Sequence, residues 1–225
     1  METSLHRRLK EMYGIETGGR CEVAVAGFRI DALDGDGTLI EIQSGALGPL
    51  KPKLGCLLPE HRLLVVKPVV LRRAVVRRTT PDGADLSRRA SPKRGCLLDV
   101  FDDLVGLAAH IADPNLSLEF LGVAIEEVRI PRRRRPGFAV VDRRLSTVLE
   151  VLRVSEPVDL WGLLPVGLSG GEAFTTAELA HKLGRSLSFA QRVACCLRLA
   201  GAVRTLGKRG NARIYQAADE IAAKA

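Results

Sequence analysis

The chain has 225 residues, 46% of them hydrophobic and 27% charged, which suffices for one large domain or two small ones and excludes a disordered or fibrous class. No apolar run approaches the roughly eighteen residues that span a bilayer, and the charged start after Met-Glu-Thr-Ser is unlike a signal peptide, so a cytoplasmic protein with no membrane partner is expected. The net charge of +8 sits at the two ends: residues 1–78 hold thirteen Lys/Arg against nine Asp/Glu, residues 169–225 nine against four, and the middle is near neutral. A polyanionic partner reaching both ends accounts for that distribution more simply than a basic protein of no particular partner. Five cysteines without CxxC or zinc-ligand spacing read as small buried hydrophobes, and four scattered histidines form no metal motif with them.

Residues 3–13 place Leu5, Leu9 and Met12 at helical intervals, with Thr3 or Ser4 as cap and Gly14 as stop. Residues 21–33 read as two strand segments interrupted at Ala26-Gly27. The stretch 28–44, FRIDALDGDGTLIEIQS, then predicts a hairpin: strands over 28–33 and 38–43 joined by Asp34-Gly35-Asp36-Gly37. Asp31 lies on its first strand; Glu41 and Gln43 share a face of the second. Carboxylates gathered on a mostly apolar hairpin are costly unless they bind a cation, take up a proton or stay solvated. A helix over 46–58, irregular at Pro49 and Pro52, and an apolar strand over 62–70 complete an α/β core of about eighty residues.

The order Asp31, Glu41, Ile42, Gln43, followed by a helix, resembles the catalytic hairpin of the PD-(D/E)XK nuclease superfamily, in the variant carrying glutamine where lysine is usual. The string IEIQSGALGPLKPKLGCLLPEHRLLVVKPV is also similar to a family of uncharacterised bacterial proteins. The resemblance covers residues 4–78 and implies a restriction-endonuclease-like mixed sheet with flanking helices. It also implies a Mg²⁺ (or Mn²⁺) ion held by Asp31, Glu41 and the Ile42 carbonyl, hard oxygen ligands of the kind Mg²⁺ prefers. In that family an acidic residue from a first helix or strand joins the metal; Glu11, Glu16 and Glu22 are the candidates here, and nothing in the sequence chooses among them. Gln43 would orient the attacking water but cannot take up its proton. Lys51 or Lys53 could supply the positive charge that lysine would have brought.

Residues 71–94 read as a linker or insertion with a short strand at 74–76 and a basic loop, Arg88-Arg89-Ala90-Ser91-Pro92-Lys93-Arg94. An amphipathic helix is expected over 96–112, with Leu97, Leu98, Phe101, Leu104, Val105 and Ala108 inward and Asp99, Asp102 and Asp103 outward. A strand over 116–130 leads to the tetra-arginine loop 132–135, either a phosphate grip or an exposed connector. Leu145, Val148, Leu149 and Leu152 predict a helix opening a second domain, with a further helical segment over 158–164.

Near the C-terminus, Thr-x-x-Glu at 175–178 is a capping box and opens a helix ended by Gly184. A second box at 188–191 is expected to open a helix with Val193, Cys196, Leu197 and Ala200 inward and Gly201 as C-cap. A hairpin over 202–216 with a basic tip at 207–211 follows. Residues 174–217 resemble the winged helix-turn-helix family. The resemblance implies a recognition helix exposing Ser188, Gln191, Arg192, and Arg198 or Arg185 to a major groove, with Lys208, Arg209 and Arg213 on the wing. Winged helices also bind proteins and dimerise, so a homodimer stays open. The division expected is a nuclease-like domain over 1–142 (core 1–78, extension 79–142) and a winged-helix domain over 143–225. Together the resemblances imply a Mg²⁺-dependent endonuclease acting on double-stranded DNA, or alternatively a non-catalytic DNA-binding regulator that keeps a degenerate nuclease fold.

Overall fold

The computed structural model describes residues 2–165 and 172–218, and the chain is of mixed α/β class, with a large mixed sheet flanked by helices. Helix α1 (Ser4–Tyr13) is capped by the Thr3 hydroxyl, which accepts from the His6 amide, and stops at Gly14. A meander follows: β1 (Arg20–Val25), β2 (Phe28–Leu33) and β3 (Leu39–Ile42), all antiparallel neighbours. The β1–β2 turn is at Ala26-Gly27, both with positive φ, 48° and 79°, the backbone that tight hairpins demand. After α2 (Lys51–Leu57), β4 (Leu63–Arg77) and β5 (Ser87–Ala90) pair antiparallel, and two long strands, β6 (Leu116–Pro131) and β7 (Phe138–Val154), finish the sheet in the order β1-β2-β3-β4-β6-β7 with β5 on β4.

The chain divides into two compact units, each assembled from separate stretches. The first comprises residues 1–44, 66–97 and 120–151. There α1 packs close to β2: a Cβ on Gly14 would come within 2.9 Å of the Ala32 Cβ and of the Lys10 carbonyl. Leu5 and Leu9 with Ile30, Ala32, Ile40 and Ile42 form the buried layer.

The second unit comprises residues 45–65, 98–119 and 152–225. Its described part holds α2, the short α3 (Phe101–Leu104), β8 (Phe174–Thr175), α4 (Thr176–Leu183), α5 (Leu187–Ala200), β9 (Val203–Arg209) and β10 (Ala212–Ala217), with a three-stranded sheet ordered β8-β10-β9. Leu54, Leu57, Phe101, Leu104, Leu107, Leu179, Val193, Cys196 and Leu197 are buried in it, and Phe174 stacks on Tyr215 at 5.9 Å between centroids.

Several expectations are corrected. Residues 96–112 do not form one helix but a run of 3-10 turns around the four-residue α3. Just after α3, the Gly106 backbone lies so close to Gly48 that a Cβ would sit 2.7 Å from the Gly48 Cα. Residues 143–154 are strand, not helix; they continue β7, and the boundary expected at 142/143 falls inside it. Thr147, Val148, Val151 and Val154 are β-branched and fit a pleated surface better than a helix. Arg88 and Arg89 belong to β5 rather than to a loop. Helix α5 is capped by Ser186, whose hydroxyl accepts from the Phe189 amide, two residues before the cap expected at Ser188. The β9–β10 turn is tighter than 207–211, closing at Gly210-Asn211.

Candidate functional site

The hairpin is built as its sequence demands. Asp34 accepts from the amides of Asp36 and Thr38 at 3.0 and 2.8 Å and fixes the turn. The ladder pairs Leu33 with Leu39 and Ala32 with Ile40, and one further step of that antiparallel register sets Asp31 across from Glu41. Asp31 Oδ2 accepts from the Ile42 amide at 2.9 Å, so this carboxylate is tied directly to the residue between Glu41 and Gln43. Its other oxygen lies 3.1 Å from His6 Nε2 on α1. Burial, the largest single influence on Asp31, raises its pKa. Hydrogen bonds from His6 and Ile42, with the charges of His6 and Lys10, outweigh it and hold the carboxyl below its ordinary range.

Asp31 lines an open cavity of about 490 Å³ in the first unit, together with His6, Lys10, Glu22, Arg29 and Ser44. Lys10 is 6% exposed, and its ammonium pairs with Glu2 at 2.5 Å and Glu22 at 2.8 Å. Burial is the largest influence on Lys10 and lowers its pKa, yet those two carboxylates together leave it raised. Glu22 sits in mid-strand at φ 57°, a left-handed conformation that costs a non-glycine residue about 1–2 kcal/mol. Hydrogen bonds from Lys10 and Arg29 lower its pKa.

The remaining residues of the expected site fall as follows. Glu41 is only 6% exposed and Gln43 is half-buried; neither lines the Asp31 cavity. The Gln43 amide donates to the Val66 carbonyl at 2.9 Å. Of the third-acid candidates, Glu22 shares the cavity, whereas Glu11 and Glu16 both pair with Arg8. Among the described residues no group of three or more His, Cys, Asp or Glu side chains converges as a metal site. Lys51 and Lys53 belong to the second unit.

Three residues escaped the sequence reading. His6 and Lys10 stand four apart on α1, a spacing that sets both on one helical face. Lys67 is the third: 4% exposed, with its ammonium donating to the Ser44 carbonyl at 3.3 Å, one residue past Gln43. A single lysine inside the apolar run LLVVKPVV was the available signal.

In the second unit the basic residues are unevenly free. The Thr175–Glu178 capping box is formed, and hydrogen bonds from Thr175 lower the Glu178 pKa. Arg185 and Arg192 flank the Phe189 ring at 5.4 and 5.7 Å. Each is held by an aspartate at 2.7 Å, Arg185 by Asp99 and Arg192 by Asp102. Ser188 is exposed, its hydroxyl 3.0 Å from that of Ser186. Arg209 pairs with Glu178 at 3.1 Å. Gln191, Arg198, Lys208 and Arg213 are exposed.

A family model described as a domain of unknown function, DUF8091, matches residues 3–155, and the chain belongs to that family. A relative from Treponema pallidum (strain Nichols), described as an uncharacterized protein, is 33% identical over 221 residues, covering 96% of this chain and 85% of the relative. No solved structure matches. No helix among the described residues is long and apolar enough to cross a membrane.

Proposed function

We propose that this protein binds double-stranded DNA and hydrolyses its phosphodiester bonds with Mg²⁺ or Mn²⁺, as an endonuclease built on a PD-(D/E)XK-like core and a winged helix. The observation that carries the reading is the bond from the Ile42 amide to Asp31, which ties the first acid of the motif to the Glu41-Ile42-Gln43 strand. The order α1, β1, β2, β3, α2, β4 supports the nuclease-like core, and β8, α4, α5 and the β9–β10 hairpin support the winged helix.

The Asp31 carboxylate suits the ion, while Glu41, the second expected ligand, is 6% exposed and lies outside the Asp31 cavity. Each Asp31 oxygen accepts one hydrogen bond and keeps a second lone pair, the carboxyl is held ionised, and Mg²⁺ needs only one or two protein carboxylates beside its waters. Asp31, Glu41 and the Ile42 carbonyl would hold it. When bound, such an ion supplies Lewis-acid activation of the phosphodiester. Gln43 would orient the attacking water through its carboxamide. Lys67, whose ammonium donates to the Ser44 carbonyl one residue past Gln43, would supply the positive charge that lysine brings in the resembled family. Arg198, Lys208 and Arg213, with Gln191 and Ser188, would meet the duplex.

A second reading has its own observation. Both Asp31 oxygens already have one protein partner, His6 and Ile42, and position 43 is an amide, as suits a non-catalytic DNA-binding regulator on a degenerate nuclease fold. Incubating wild-type and Glu41→Ala protein with supercoiled plasmid in Mg²⁺ or Mn²⁺ separates the two. The endonuclease reading expects nicked or linear product from wild type alone; equal cutting by both, or none by either, removes it. Salt-sensitive duplex binding without cleavage leaves the regulator.

A further inference from the structure

A second cavity, of about 510 Å³, lies in the first unit and shares no lining residue with the one at Asp31. Four of its lining residues are arginines, Arg77, Arg78, Arg89 and Arg129; the others are apolar, Leu86 and Phe138 among them, and no carboxylate contributes. The β4–β5 ladder explains the convergence. It pairs Val75 with Arg89 and Arg77 with Ser87, so Arg77 and Arg89 are diagonal neighbours on one face of the pair.

The four arginines differ in what they can offer. Arg78 is held by Asp85 at 2.6 Å and by the Pro81 carbonyl at 2.9 Å. Arg129 is clamped by Glu127 at 2.8 and 2.6 Å while its guanidinium lies 3.9 Å over the Phe138 ring. These two are fixed parts of the wall. Arg77 and Arg89 have no acidic partner among the described residues and face the same cavity. The exposed loop Arg132–Arg135, tied at its base by the Arg132 amide to the Gly137 carbonyl at 3.1 Å, adds four more positive charges next to Pro131 and Pro136 of the lining.

Two unpaired guanidiniums beside an apolar and aromatic wall select an anion with an apolar body. Arginine forks match phosphate oxygens in a bidentate way. A bare inorganic anion would satisfy the forks but leave the wall wet, whereas the volume is within the roughly 300–1,000 Å³ typical of small-molecule sites. We infer that this cavity binds a nucleoside phosphate, with the phosphates on Arg77 and Arg89 and the base against Leu86 and Phe138. The site is independent of the nuclease reading, since none of its residues belongs to the Asp31 cluster.

Calorimetric titration of the full chain with ADP, adenosine and inorganic pyrophosphate, at low salt and without divalent ions, tests it. ADP should bind once per chain, with adenosine and pyrophosphate each at least about tenfold weaker. Arg77→Ala and Arg89→Ala, both exposed strand positions, should each weaken ADP by about tenfold or more with unchanged melting temperature. Asp31→Asn should bind ADP as wild type does. Absence of ADP binding at millimolar concentration, equal affinity for ADP and pyrophosphate, or ADP affinity unaffected by both arginine variants would each overturn the assignment.

Discussion

Replacing Asp31 by asparagine changes one oxygen into an NH₂ group and probes the cluster at its centre. If that NH₂ faces the Ile42 amide, now 2.9 Å from Oδ2, donor meets donor and a backbone N–H loses its acceptor. If it faces His6, the ring can present an unprotonated nitrogen, and only charge assistance is lost. An orphaned part-buried donor costs about 1–3 kcal/mol and the loss of charge assistance somewhat less, so Asp31→Asn should destabilise by roughly 1–3 kcal/mol. For a chain of this size that lowers the melting temperature by about 2–4 °C per kcal/mol. Amide hydrogen exchange at Ile42 should accelerate alongside. The pH dependence has a definite sign. Because the folded carboxyl titrates below its ordinary range, the wild-type advantage over Asp31→Asn is complete above about pH 4, where the unfolded carboxyl is ionised. It is lost as the pH falls through the lower folded value. Unchanged Ile42 protection in the variant, or a wild-type advantage that persists undiminished to the acid transition, would refute the reasoning.

Other perturbations give further expected outcomes. Removing both acids with Asp99→Ala and Asp102→Ala frees Arg185 and Arg192; duplex binding should tighten by about three- to tenfold, with a salt slope steeper by about one to two, as gel-shift titrations across salt will show. Gly106→Ala forces a Cβ to 2.7 Å from the Gly48 Cα and should cost about 1–3 kcal/mol in urea unfolding. Burial pushes the Cys196 thiol up to about 12, so in the folded chain it should resist iodoacetamide while the exposed Cys56 and Cys96 react, which mass spectrometry resolves.

How much of this could be read from the sequence depended on whether local signals decided the structure. The hairpin at 28–43 was legible because Asp34-Gly35-Asp36-Gly37 admits little but a turn and the flanking residues suit strands; helices α1 and α4 were legible from their Thr caps and glycine stops. Over 96–112 four of the six residues expected inward, Leu98, Phe101, Leu104 and Ala108, are buried, while Leu97 and Val105 are half-buried; the helix itself is not continuous, and the close approach of Gly106 to Gly48, some sixty residues away in sequence, is a tertiary contact that no local signal announces. Residues 143–154 misled for a different reason. Their leucines and valines recur at three- and four-residue spacing, yet β7 is largely exposed or half-buried along its length, so no alternation marked it as a strand. In the candidate site, Asp31, Glu41 and Gln43 came from motif order. Lys67 was marked by its apolar surroundings in LLVVKPVV, but its partner at Ser44, like the partners of His6 and Lys10, could be placed only once the tertiary contacts were known.

Manganese titration followed by the electron paramagnetic resonance signal of free Mn²⁺ bears most directly on the proposed metal site. Wild type should take up one Mn²⁺ per chain, displaceable by Mg²⁺, and Asp31→Asn and Glu41→Gln should each lose that uptake. No uptake by wild type, or the same stoichiometry and affinity in all three proteins, would contradict a catalytic cation held by these two carboxylates.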